Sequence, residues 1–283
     1  MNRALPALLL LCLVGCTTTM TGRRQLTLIG EAKMNEIGAA AFRKVKRTSK
    51  LSDDAPINHY VRCVASAILD VIPPDTSPGK DRWEVLVFED PTPNAFAVPG
   101  GKIGIHTGML KIASTPGRLA AVLGHEVAHV LLRHGNERMS QALLAEGVIT
   151  ASSTAVGVKA PRYQSLVVAG LGIGAQFGVL LPFSRKHESE ADQIGQLFMA
   201  RAGFRPSEAV GLWQAMAALD RDPAPQWQST HPSDRNRIAR LSATLPGSML
   251  EFENARSAGK HPHCTPPGRS LDYIERIWEP NQR

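Results

Sequence analysis

Two histidines four residues apart, His125 and His129, with Glu126 beside the first, lie in an apolar run from Leu119 to Leu132. No other feature constrains this chain as much. Residues four apart share one helical face, so the two imidazoles can grip a single ion. Thr115-Pro116 offers a hydroxyl cap and a first-turn proline, and Gly135 a stop. Three ionisable groups buried in such a helix need a partner, and one Zn²⁺ ion supplies it. Glu126 then stands where it can act on water as a general base. With 9 His and 14 Glu in 283 residues, the His-Glu-x-x-His pattern arises by chance roughly 0.014 times per chain. The competing reading is a pair of surface histidines on an amphipathic helix, which the apolar flanks oppose.

Apolar residues recur at helical spacing from Gly30 to Ser49 and from Ala55 to Ile72. Trp83–Phe88 reads as a strand. Phe96–Val98, Pro99-Gly100-Gly101 and Lys102–His106 read as strand, turn and strand. Further helices are expected over Ser184–Ala202, stopped by Gly203, over Pro206–Leu219, and from Ser233 to about Thr244, followed by an extended tail. A small sheet among many helices makes the fold α+β, predominantly helical. The glycine-rich apolar stretch Leu166–Phe183 approaches the length of a membrane span, but Gln176 and its glycines favour a buried, site-covering segment.

The amino terminus reads as an export signal. Arg3 precedes the apolar run Ala4–Val14, and Leu13-Val14-Gly15-Cys16 resembles a lipobox, with residues 1–15 removed and Cys16 lipidated. An ordinary signal peptide with a chance cysteine is the alternative. By resemblance to Gram-negative lipoproteins, Thr17 favours the periplasmic side of the outer membrane. Residues 16–29 are polar and read as a tether, 30–250 as one domain, and 251–283 as a tail packed on it. Loss of Arg3 lowers the formal charge from +7 to about +6. The cluster Arg43-Lys44-Val45-Lys46-Arg47 reads as a solvated helix face, and a nucleic-acid partner is not expected of an exported lipoprotein. Cys63 and Cys264 are the other mature cysteines. One disulfide is the simple reading, and a metal site with His59 and His263 the weaker one.

A zinc site needs a third protein ligand. Glu188 and Asp192, four apart, would repel on a bare helix unless a cation lay near. Glu188 could bind the metal while Asp192 accepts the second N–H of a ligating histidine. A solvated face paired with Arg185 and Lys186 explains the spacing equally well.

His-Glu-x-x-His followed by Glu188-Ser189-Glu190-Ala191-Asp192, and preceded by Asn94-Ala95-Phe96-Ala97-Val98-Pro99-Gly100-Gly101, resembles the HtpX and CAAX-prenyl-endopeptidase-like zinc metallopeptidases. Thr21-Gly22-Arg23-Arg24-Gln25-Leu26 is similar to the start of their LoiP/BepA-type envelope lipoproteins. The resemblance implies a zincin-like domain binding one Zn²⁺ through His125, His129 and Glu188. It implies Glu126 as general base and Asp192 as the partner of a ligand. Thr230-His231-Pro232 and Arg237 resemble a pair that reaches the site from its other side. There His231 steadies the oxyanion, alone or together with Arg237, or binds zinc as a reversible plug. His134 and His187 read as a helix-end cation and a surface neighbour of the ligand. An edge strand at Ala95–Val98 could bind extended peptide main chain, with Asn94, Ala95, Phe96 and Ala97 as the substrate-binding residues, or serve only as a core hairpin. The function this implies is a membrane-anchored endopeptidase acting on unfolded or misassembled envelope polypeptides. The alternative is a zinc-stabilised assembly factor for outer-membrane proteins with little proteolysis. The sequence does not state an oligomeric order.

Overall fold

Caps and breakers set most of the helix ends. The computed structural model of the protein describes residues 16–76, 78–144, 183–218, 231 and 236–268. The expected signal peptide, most of the Leu166–Phe183 stretch and the end of the tail lie outside the described residues. β1 (Cys16–Thr18) and β2 (Arg24–Leu26) form an antiparallel hairpin. Then follow α1 (Glu31–Thr48) and α2 (Ala55–Leu69), the latter capped by the Asp54 carboxylate, which accepts the Ile57 N–H at 2.8 Å. The exposed basic cluster at Arg43–Arg47 lies on the outer face of α1, as its pattern requires.

β3 (Glu84–Phe88), β4 (Ala95–Val98) and β5 (Lys102–His106) make a three-stranded sheet in the order β3-β5-β4. β5 is central, parallel to β3 and antiparallel to β4, so β4 is an edge strand among the described residues. Gly104 sits in the middle of β5 because a Cβ there would lie 2.3 Å from the Phe96 ring. That space lets Phe42, Phe88 and Phe96 pack together, with ring centroids 6.1–6.3 Å apart, between α1 and the sheet.

α3 (Met109–Ile112) leads into α4 (Pro116–Leu131), which carries both motif histidines. Thr115 caps α4, its Oγ1 accepting the Arg118 N–H at 3.1 Å. The helix stops at Leu131 rather than at Gly135. Arg133 takes a left-handed φ of 57°, and residues 134–144 start a new helical stretch that contains Gly135. A non-glycine residue made the break, so the composition gave no sign of it.

α5 (Arg185–Arg201) is capped by Ser184 and ended by Gly203, with φ 86°. α6 (Ser207–Ala217) and α7 (Arg237–Ser257) complete the described fold. α7 runs on through Pro246 instead of ending near Thr244. Gln196 explains this: its Oε1 accepts Thr244 Oγ1 at 2.6 Å and Ser248 Oγ at 3.1 Å, one on each side of the proline. Cys63 on α2 is joined to Cys264, Cα–Cα 5.6 Å, which ties the segment after α7 back to the core and takes both sulfurs out of the alternative metal site with His59 and His263. Among the described residues no helix is long and apolar enough to cross a membrane.

Candidate metal centre

α4 and α5 can approach closely because glycine meets glycine where they cross. A Cβ on Gly124 would lie 2.7 Å from the Gly195 carbonyl oxygen, and one on Gly195 2.7 Å from the His125 nitrogen. That contact carries Glu188 and Asp192 of α5 to the motif helix.

Four side chains converge there: His125, His129, Glu188 and His231, whose donor atoms all lie within 4.8 Å of one another. All are 1–3% exposed. His125 Nε2 stands 3.0 Å from His129 Nε2 and 3.2 Å from His231 Nδ1. The Glu188 oxygens stand 3.1 Å from His231, 3.4 Å from His129 and 3.5 Å from His125. Donors about 2.05 Å from a tetrahedral zinc ion would be about 3.3 Å apart. The nitrogen and carboxylate donors, their spacing and their burial all fit that ion.

The electrostatics point the same way. Burial opposes ionisation of Glu188, but His231 and Arg237 hold its carboxyl well below the usual range, so it is an anion ready to ligate. Burial also opposes charge on His125, yet Asp192 and Glu188 outweigh it and lift the imidazole to about 9. Burial drives His129 well below its ordinary value.

Asp192 Oδ1 lies 2.9 Å from His125 Nδ1. That contact fixes the proton on Nδ1 and leaves Nε2 for the metal. Arg237 lies against the two carboxylates of α5. It donates to Glu188 and Asp192 at 2.6 Å each and stacks on Trp213 at 3.4 Å, so it holds two carboxylates in place. His231 enters as a fourth donor; Thr230 and Pro232 lie outside the described residues.

Glu126, 2% exposed, is separate from the donor group. Its Oε1 is 3.6 Å from His231 Nε2, and its Oε2 accepts the Ala97 backbone N–H at 3.2 Å. Ala97 is the edge-strand residue turned to the site. The Asn94 carbonyl is taken by His106 at 2.9 Å, and Ala95 and Phe96 are buried, Phe96 in the aromatic cluster. A cavity of about 330 Å³ opens beside Ala97 and Pro99, lined also by Met34, His129, Val130 and Phe183. Phe183 packs on His129 with ring centroids 4.0 Å apart, so this end of the apolar stretch covers the site.

Two histidines read as ordinary prove otherwise. His134 is fully buried, its Nδ1 3.0 Å from His129 Nδ1, and burial pushes it down to about 4. His187 is buried as well, its Nε2 3.0 Å from a Glu137 oxygen. The sharp break at Arg133 turns His134 back onto the motif helix, and helical spacing carries no signal for that. The polar segment after Cys16 is not a loose tether either. It is docked, with Thr19 and Gln25 buried.

Residues 59–245 match the model of Peptidase family M48. The mitochondrial metalloendopeptidase OMA1 of Schizosaccharomyces pombe is 36% identical over 176 residues, covering 62% of this chain and 50% of that protein. The OMA1 metalloendopeptidase of Danio rerio is 32% identical over 244 residues, 81% of this chain and 50% of that protein. The beta-barrel assembly-enhancing protease of Yersinia pestis is 26% identical over 245 residues, 84% of this chain and 46% of that protein. The chain spans about half the length of the curated relatives it matches. The two mitochondrial enzymes match at higher identity than the Yersinia protein, so the narrower likeness to envelope lipoproteins does not follow from these matches. With a buried four-donor group gathered around the motif helix and a family match over most of its length, the chain belongs to peptidase family M48.

Proposed function

We propose that the chain is a zinc-dependent endopeptidase that cuts extended polypeptides. The observation that carries this reading is the position of Glu126, which joins the donor group on one side to the outer edge of β4 on the other. A zinc ion held by the donor group would supply a Lewis acid that polarises a carbonyl and acidifies water. Glu126 takes the proton of the attacking water and returns it to the leaving amine. The β4 edge at Ala97 pairs with substrate main chain, which tolerates many sequences and so suits unfolded chains. Four protein donors fill a tetrahedral shell, whereas hydrolysis needs one open position. His231 therefore withdraws when substrate enters, and from there its ring can steady the oxyanion.

The reading extends to an exported lipoprotein, anchored through Cys16 on the periplasmic side of the outer membrane and acting on unfolded or misassembled envelope polypeptides. The lipobox-like run and the likeness to the beta-barrel assembly-enhancing protease of Yersinia pestis support it. The test is Glu126→Gln, which is expected to bind zinc like the wild type and to leave an unfolded model protein uncut. Undiminished cleavage by that variant would reject the assignment. A second reading, a zinc-stabilised assembly factor with little proteolysis, draws on His231 completing the donor group. Rescue of envelope assembly in a deletion strain by Glu126→Gln would favour it.

A further inference from the structure

The ligand His129 is the start of a hydrogen-bond chain that ends on the amino-terminal hairpin. For Nε2 of His129 to serve a metal, its proton must sit on Nδ1. That atom is 3.0 Å from His134 Nδ1, which must then accept. The proton of His134 is thereby placed on Nε2, 3.3 Å from Glu190 Oε2. One assignment of donors and acceptors links the whole chain, and it requires a carboxylate at its end.

The hairpin holds that carboxylate. Arg23 Nε donates to Glu190 Oε2 at 2.7 Å, Thr19 Oγ1 donates to Oε1 at 3.0 Å, and Thr21 Oγ1 donates to the same oxygen. The remaining guanidinium nitrogens of Arg23 grip both Glu137 oxygens, at 2.8 and 2.6 Å. Glu137 in turn accepts from His187, the residue before the ligand Glu188. The His187 ring stacks on His134, with centroids 4.5 Å apart and planes at 23°. One arginine thus joins the supports of two metal ligands. The other motif histidine is built on the same plan, since His125 Nδ1 meets Asp192 directly.

We propose that the β1–β2 hairpin is a working part of the metal centre. Thr19, Thr21 and Arg23 act through Glu190 and His134 as positioning residues that orient His129 and raise the basicity of its Nε2. Metal affinity therefore depends on the docking of the segment that directly follows Cys16. The inference rests on the reading of His129 as a metal ligand.

The experiment uses the full chain, stripped of metal, titrated with Zn²⁺ against a competing chelator and with Co²⁺ for its visible spectrum. Arg23→Ala and the isosteric Glu190→Gln are each expected to weaken zinc binding about 10-fold or more and to shift the cobalt bands. The double variant should be little worse than either single one, because both cut the same chain. Arg24→Ala, an exposed neighbour, should match the wild type. Wild-type affinity and an unchanged cobalt spectrum in both single variants, with only a lower melting temperature of the metal-free protein, would overturn the proposal. So would losses that multiply in the double variant. Failure of the wild type itself to take up zinc would instead reject the metal reading.

Discussion

Gly195→Ala is the sharpest probe of how the fold makes the site. The added methyl would sit 2.7 Å from the His125 nitrogen and 2.8 Å from the Gly124 carbonyl carbon, both backbone atoms that cannot rotate away. Ordinary contact begins near 3.4 Å, so α4 and α5 must part by about 0.7 Å. Overpacking of this kind costs about 1–3 kcal/mol, partly offset by about 1 kcal/mol of helix propensity gained over glycine. Stability therefore falls modestly, by roughly 0–2 kcal/mol. The metal site suffers more, because ligand distances tolerate only about 0.2 Å of error and Glu188 rides on the displaced helix. Zinc affinity should fall at least about 10-fold, close to 1.4 kcal/mol. A chelator-competed zinc titration reads that loss, and a urea melt of the metal-free protein reads the stability. Gly211→Ala on α6 is the control. Its methyl would meet only the Arg118 guanidinium at 3.6 Å, so it should stabilise by about 0.5–1 kcal/mol and leave zinc binding alone. Wild-type zinc affinity in Gly195→Ala would refute the claim that this crossing sets the ligand geometry.

The Cys63–Cys264 bridge closes a loop of 201 residues, so reduction should remove up to about 5 kcal/mol of stability. A urea midpoint insensitive to reductant would contradict that. Burial opposes the charge on Glu137, but Arg23 and His187 hold its carboxyl at about 2. Its contribution is then complete above the unfolded value near 4.5 and is lost as pH falls through about 2. Arg23→Ala should flatten the acid side of the stability profile, and an unchanged slope would count against the pairing. Ala97→Pro removes the edge-strand N–H that faces Glu126, and an edge strand tolerates proline. Glu126 then loses one hydrogen bond, so kcat/KM for peptide should fall roughly 3- to 10-fold with zinc affinity unchanged. An unchanged kcat/KM would argue that this contact does not position Glu126.

The motif helix, its Thr115 cap, the helix bearing Glu188 and the strand-turn-strand around Pro99-Gly100-Gly101 were all legible in the residues. Each is a local pattern in which spacing along the chain equals position on one face. Two readings failed for a related reason. Nothing in the composition marks Arg133 as the break after α4, and nothing local says that Pro246 will be bridged by Gln196 from another helix.

The amino-acid order by itself determined that two imidazoles and a glutamate share one buried helix, and left the Glu188–Asp192 helix open between a metal ligand and a solvated face. Tertiary structure alone decided that His231 completes the donor group, that Arg237 holds Glu188 and Asp192, and that Arg23 reaches Glu190 across 167 residues of sequence. Periodicity reports which way a side chain points from its own backbone. Which other backbone lies there is settled by packing, here by two glycines that let α4 and α5 touch.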